Sequence, residues 1–245
     1  VRSVVLKSES NVPFVFEPGR YVAISMYKNG RPTTTRCFSI TSSPTQQRSI
    51  EICARVKGKY TTAMSNLVYG DGVTVRGPFG RFVFDKNEQK NLVLFDGGIG
   101  ITPFISMIRY ATYLWVTNKI HLIYSNHRQA DAPFLGELLD IEKKNPHFRA
   151  TFVVGRLDEA TFLKLGLNFS AETCMICGPA PYIEAMRLIL SSHQVPQNRI
   201  LSEAFSQGKH EQSDTIKYWP YNMYALAGLS LSLAIFFVTA SDLLK

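Results

Sequence analysis

The sequence predicts a β plus α/β fold: an antiparallel β-barrel, then a five-stranded parallel sheet with helices on both faces, then a helix long enough to cross a membrane. Three observations predict it. Short β-rich runs broken by turn residues fill the chain as far as Phe84, which is the pattern of a small barrel. Strand and helix patterns then alternate, as they do when a parallel sheet is covered on both faces. From Tyr221 to Ser241 no residue is charged, and at about 1.5 Å per helical residue that stretch reaches roughly 30 Å, the thickness of bilayer hydrocarbon.

The barrel strands are expected at Val1–Leu6, Tyr21–Tyr27, Cys37–Ile40, Ile50–Val56 and Val73–Arg76, each rich in β-branched or aromatic residues. Pro18-Gly19, Asn29-Gly30, Ser43-Pro44, Gly70-Asp71-Gly72 and Gly77-Pro78 separate them as turns. After the polar connection Asp85–Asn91 the period changes. Strands at Leu92–Phe95, Ile120–Tyr124, Ala150–Val154, Thr173–Cys177 and Arg199–Ser202 alternate with helices at Pro103–Val116, Ala132–Lys144, Glu159–Leu165 and Pro181–His193. Asp158 is suited to cap the third helix and Gly166 to end it.

The centre of the pattern is Leu92-Val93-Leu94-Phe95 followed by Asp96-Gly97-Gly98-Ile99-Gly100-Ile101-Thr102-Pro103. A buried strand that stops at glycines reads as parallel. Thr102 is suited to N-cap the next helix, with Pro103 in its first position. Phe104, Ile105, Ile108, Ala111 and Trp115 then recur at helical spacing on one face. Glycine backbone, free N–H groups and the helix dipole together make an anion site. The third glycine of the common dinucleotide fingerprint is absent, and no P-loop lysine follows.

At 245 residues the chain suits two domains, and its +8 charge is scattered rather than run together. Scattered charge fits an anionic cofactor or an acidic partner and excludes a nucleic-acid stripe. Cys37, Cys53, Cys174 and Cys177 are too few for a disulfide framework. Cys174 and Cys177, three apart on a strand, point to opposite faces and do not make a metal site. The chain opens on Val1 inside an alternating pattern, so it is expected to be a piece of a longer polypeptide. Trp219, Tyr221 and Tyr224 stand at the head of the apolar tail like an interfacial belt. The alternative for this tail is a buried C-terminal helix.

Three motifs in order resemble the ferredoxin-reductase family of flavin and nicotinamide oxidoreductases. They are Arg36-Cys37-Phe38-Ser39, preceded by Pro18-Gly19-Arg20-Tyr21; Gly97-Gly98-Ile99-Gly100-Ile101-Thr102-Pro103; and Cys177-Gly178-Pro179, followed by Glu203-Ala204-Phe205. Gly58-Lys59-Tyr60-Thr61 and Arg76-Gly77-Pro78-Phe79-Gly80 also resemble family segments. The match covers about residues 1–205.

The resemblance implies an FAD-binding barrel over 1–86 and an NAD(P)-binding domain over 87–205; outside it, composition adds a linker over 206–220 and the apolar helix over 221–241. It assigns FAD to Arg36, Phe38, Ser39, Gly58, Thr61 and Phe205, and NADH or NADPH to Gly97, Gly98, Gly100, Thr102, Cys177, Gly178 and Pro179. Ser39, Cys177 and Glu203 are the implied catalytic residues. The implied activity is hydride transfer from NAD(P)H to FAD, with single electrons passed to an iron–sulfur or haem acceptor outside this chain. With the apolar helix in a bilayer, the catalytic domains face the cytoplasm.

The alternatives are a soluble diaphorase and a non-catalytic module of the same fold. Five positions are expected to matter for the nucleotide. Asp96 replaces a small residue and is expected to repel phosphate. Tyr182 stands where methionine is usual. Ser125, His127 and Arg128 lie where the ribose would fall, with NADH favoured over NADPH.

Overall fold

The computed structural model describes residues 1–8, 12–28, 30–89, 91–167, 172–205 and, as backbone, 234–239. Strands β1 (Arg2–Ser8), β2 (Tyr21–Lys28), β3 (Arg31–Pro32), β4 (Arg36–Ser39), β5 (Ser49–Ala54) and β6 (Gly72–Phe79) build the first sheet by antiparallel pairing. Their apolar side chains alternate with the strand period of two, so Val22, Ile24 and Met26 meet Leu6, Ile52 and Val75 in one core. Helix α1 (Lys59–Ser65) lies between β5 and β6 and was not expected. Met64 is its one buried residue, too little to leave a helical period in the sequence.

The second sheet is parallel, with β7 (Asn91–Gly97), β8 (Lys119–Asn126), β9 (Phe148–Val154), β10 (Thr173–Gly178) and β11 (Ile200–Ala204) in the order β11-β10-β7-β8-β9. Helices α2 (Ile101–Tyr113) and α3 (Leu135–Lys144) contribute to the core of one face, with Leu94, Leu122 and Met175. Helices α4 (Glu159–Lys164) and α5 (Ala180–Ser192) contribute to the other, with Val93, Phe95 and Ile123. Cys177 belongs to the first face and Cys174 to the second, as their spacing requires. Asp158 caps α4 by accepting from the Thr161 N–H at 2.8 Å, and Gly166 follows that helix with φ +58°.

Strand order reverses between β7 and β10, because β8 and β9 lie to one side of β7 and β10 and β11 to the other. A doubly wound sheet leaves a crevice at such a point, outside the carboxyl ends of the strands. Gly97–Gly100 and Cys177-Gly178-Pro179 both end there.

Three expectations are corrected. Helix α2 begins at Ile101, after a 3-10 turn over Gly98–Gly100, with Gly100 in the cap position. Thr102 is inside the helix, and its hydroxyl donates to the Ile99 carbonyl at 3.2 Å instead of capping. At the other end the helix stops at Tyr113, and Trp115 has φ +49° and is 68% exposed. It therefore does not continue the buried face. Phe104, Ile105, Met107 and Ile108 are fully buried and, at about 1.5–3 kcal/mol each, hold the helix to the sheet without it.

The third correction concerns the tail. Where the expected helix over 221–241 is described, it is strand β12 (Ala234–Thr239), paired antiparallel with β1 on one side and β6 on the other. An uncharged apolar run satisfies a buried strand as well as a helix, and Ile235, Phe236, Phe237, Val238 and Thr239 are β-formers. The linker 206–220 and the remainder of 221–241 lie outside the described residues. Among the described residues no helix is long and apolar enough to cross a membrane.

Candidate active site

The crevice is built from close backbone approach. A Cβ on Gly100 would stand 2.3 Å from the Cys177 carbonyl oxygen and 2.5 Å from Asp96 Oδ1. One on Gly178 would stand 3.2 Å from Gly97 Cα. Side chains at these positions would part β7 from β10. Gly98 has φ +73°, a left-handed conformation that other residues enter only at a cost. The Tyr182 ring lies across the same contact, 3.0 Å from the Cβ position of Gly97 and 3.1 Å from that of Gly178. The turn leads directly into α2, whose first N–H groups have no acceptor within the helix, so a phosphate can be received there. Pro179 precedes α5 in the same crevice as its N-cap, with φ −62°.

Across the strand ends runs a row of titratable side chains. Tyr124, Asp96, Cys177 and Glu203 are successive register partners on β8, β7, β10 and β11, and register partners in a parallel sheet share a face. Asp96 is completely buried, and neither carboxyl oxygen has a hydrogen-bond partner. Burial holds its carboxyl well above the usual carboxylate range, which favours the neutral acid. The group lies under the turn, and its burial works against the charge from which the expected repulsion of phosphate would come. Burial, with Asp96 and Glu203 beside it, also holds the Cys177 thiol well above its ordinary value. Glu203 is pushed up to about 7 by burial, a value suited to exchanging protons near neutrality.

On the barrel side, β4 carries Arg36, Cys37, Phe38 and Ser39 toward the crevice. Ser39 is buried and its hydroxyl has no partner. It pairs across the strands with Tyr21, whose ring lies 3.0 Å from the Cβ position of Gly80, and Glu203 Oε2 is 3.9 Å from that same position. Tyr21 and Gly80 of the barrel thus lie beside Glu203 of β11. Phe38 stacks on Tyr60 with centroids 6.0 Å apart, and the Tyr60 hydroxyl donates to the Ile24 carbonyl at 2.6 Å.

Arg36 is exposed, with its charge felt at Tyr60. Thr61 is occupied locally: its hydroxyl accepts from the Lys57 N–H at 2.8 Å and lies 3.3 Å from the Gly58 carbonyl, as a donor. Gly58 has φ +88° and heads α1. Phe205 is half-buried against the α2 side of the sheet, and its N–H donates to the Gly178 carbonyl at 3.2 Å.

Sequence reasoning missed Arg55, which extends from the barrel until Nη2 is 3.8 Å from the Cβ position of Gly98. Its signal is the basic run Arg55-Val56-Lys57-Gly58-Lys59 ahead of the turn. Tyr21 was quoted within a motif and given no role. Near the end of β8, Ser125 has a buried hydroxyl that neighbours the buried hydroxyl of Tyr182. His127 and Arg128 are exposed beyond the end of β8.

Family comparison follows the same order of parts. A model of the oxidoreductase FAD-binding domain matches residues 2–84 and one of the oxidoreductase NAD-binding domain matches residues 94–188. The chain belongs to the ferredoxin-reductase-like family. Among curated relatives, the sulfhydrogenase 2 gamma subunit of Pyrococcus furiosus is 31% identical over 69% of this chain and 58% of its own length. The glycine betaine monooxygenase reductase subunit of Chromohalobacter salexigens is 28% identical over 84% of this chain and 60% of its own. This reductase-family chain therefore spans somewhat more than half of the curated relatives it matches.

Phthalate dioxygenase reductase, described as a modular structure for electron transfer from pyridine nucleotides to a 2Fe–2S centre, superposes with a TM-score of 0.66 at 21% identity. That alignment covers 85% of this chain and 70% of that one, and shows the shared fold.

Proposed function

We propose that this protein takes hydride from NADH or NADPH onto FAD and passes electrons singly to an iron–sulfur or haem acceptor, on another protein or on a domain outside this sequence. The observation that carries the reading is the crevice at the switch point, where the glycine turn Gly97–Gly100 closes on Cys177-Gly178 and Glu203 lies beside Gly80 and Tyr21 of the barrel. An orphaned buried hydroxyl beside a half-buried aromatic pair fits a flat polar-edged ring, and the glycine turn fits a pyrophosphate. A bound flavin supplies the ability to accept two electrons together and release them one at a time.

The chain's own residues do the rest. Arg36 and the N–H groups after Gly58 hold one pyrophosphate, while Gly97, Gly98, Gly100 and the start of α2 hold the other, with Arg55 beside the turn. Thr102 braces that turn through Ile99. Cys177 and Gly178 form a neutral wall against which a nicotinamide is oriented, and the raised thiol suits a wall better than a nucleophile. Pro179 sets the entry to α5 behind it. Ser39 offers a hydrogen bond to the reacting edge, Phe38 and Tyr60 support the ring, and Glu203 exchanges the proton that accompanies reduction. Phe205 shields the crevice from water. NADH is the preferred donor in this reading.

The monooxygenase reductase subunit named above supports an oxygenase-type acceptor. Membrane anchorage with the catalytic domains facing the cytoplasm rests on the apolarity of 221–241 alone, and the strand at 234–239 argues against it, so it forms no part of this reading.

The test is an absorbance spectrum of the purified protein followed by anaerobic addition of NADH or NADPH. A flavin band that bleaches supports the reading. Absence of the band after reconstitution with FAD, or a band that neither nucleotide bleaches, sinks it. Cys177→Ala is expected to leave flavin bound and to slow bleaching about 10–100-fold in stopped flow, the scale on which a small misplacement of reactants acts. An unchanged rate would remove Cys177 from the wall.

A further inference from the structure

Helix α2 starts at the nucleotide turn and, two turns later, grips the barrel. Arg109 forks onto Glu137 of α3 through Nε at 2.6 Å and Nη2 at 2.8 Å. Its Nη1 donates to the Thr41 carbonyl at 2.9 Å and to Glu51 Oε2 on β5. The guanidinium also lies over the Phe134 ring, 5.3 Å from its centroid. Three residues earlier on the helix, the buried Ser106 hydroxyl donates to the Ser42 carbonyl at 2.7 Å.

Thr41 and Ser42 are buried and follow Phe38 and Ser39 after a single residue, Ile40. They are also tied to β5, because the Thr41 N–H donates to the Glu51 carbonyl at 2.7 Å and the Glu51 N–H donates to Ser42 Oγ at 3.0 Å. One arginine therefore joins the segment that carries Ser39 to the helix that begins at Ile101.

We propose that Arg109 is a positioning residue for hydride transfer, setting the distance between the flavin strand and the nucleotide turn by clamping α2 to both Glu51 of the barrel and Glu137 of α3. The inference rests on the function proposed above. Reaction by hydride transfer requires the two rings in near contact, and each ring is held by a different domain, so the angle between domains enters the rate directly. Two carboxylates and one backbone carbonyl use the guanidinium's fork in a way an ammonium cannot match. Burial works against the charge, and Glu137 and Glu51 more than restore it, so the guanidinium stays charged. Other contacts of α2 with the barrel domain are apolar: Met107 Cε stands 2.5 Å from the Cβ position of Gly19, and Phe104 and Tyr110 pack on Phe82 and Phe84 with centroids 5.7 and 6.4 Å apart.

Arg109→Lys, Arg109→Gln and Glu51→Gln in the full chain test this by anaerobic stopped flow at saturating NADH, with flavin content and nucleotide dissociation constant measured in parallel. The expected result is a hydride-transfer rate lowered about tenfold or more in Arg109→Gln, with partial rescue in Arg109→Lys, while nucleotide affinity moves by less than about threefold. The flavin–nicotinamide charge-transfer band should weaken in step with the rate. An unchanged rate and band in flavin-loaded Arg109→Gln overturns the proposal, as does a loss confined to thermal stability. Should Arg109→Gln not retain flavin, Glu51→Gln carries the same expectation and the same overturning result, since it removes only the barrel-side carboxylate. Failure of the wild-type protein to be reduced by either nucleotide would instead overturn the proposed function.

Discussion

Gly100→Ala is expected to lower stability by about 3 kcal/mol and to abolish nucleotide-dependent bleaching. The added methyl would meet the Cys177 carbonyl oxygen at 2.3 Å and its carbon at 2.6 Å, with Asp96 Oδ1 at 2.5 Å. Two of these atoms are backbone of β10, so relief requires separating β10 from β7 at the switch point, where Cys177 is held. Overpacking costs about 1–3 kcal/mol in ordinary cores and more where backbone must move, against a total stability of about 5–15 kcal/mol. Urea unfolding followed by circular dichroism measures it. Gly136→Ala is the control: no atom lies within 4 Å of its Cβ position, and inside α3 alanine is the better helix former by about 1 kcal/mol. Equal stabilities for the two variants would mean that β7 and β10 do not approach as closely as the glycines indicate.

Asp96→Asn is expected to become more stable than the wild type as pH rises. The folded Asp96 carboxyl is held well above its ordinary value of 3.8 by burial. Below that ordinary value both folded and unfolded states are protonated, and the two proteins differ by a constant. Above it the unfolded wild type loses its proton while the folded form keeps it, so wild-type stability falls, by about 1.4 kcal/mol per pH unit, until the folded group titrates. Asparagine has nothing to titrate, so the variant gains over the wild type across that window and the gain then levels off. Melting temperatures of both proteins from pH 4 to 8 give the difference curve. A flat curve would show that Asp96 is ionised in the folded protein, and would bring back the phosphate repulsion that the sequence suggests.

Asp96 shows where sequence reading stops. In the sequence it is a charge next to a phosphate turn. Whether it points up at a ligand or down into the sheet depends on the pleat and on what α2 lays over it, and neither is local. Arg55 and Arg109 were illegible for the same reason, since each acts on a different domain from the one that carries it. The tail failed differently: an apolar run from Tyr221 to Ser241 states that the segment avoids water, and it does not state whether a bilayer or the gap between β1 and β6 supplies the shelter.

By itself the sequence determined the two sheets, the change of period near Leu92, the helices on both faces and the two glycine turns, because these follow from short-range periodicity and backbone permissiveness. The tertiary structure alone decided which of the turn's neighbours are buried, which cation reaches across from the barrel, and that one arginine ties the flavin strand to the nucleotide helix. Those outcomes depend on burial and on distances between residues far apart in the chain, which spacing along a sequence does not encode.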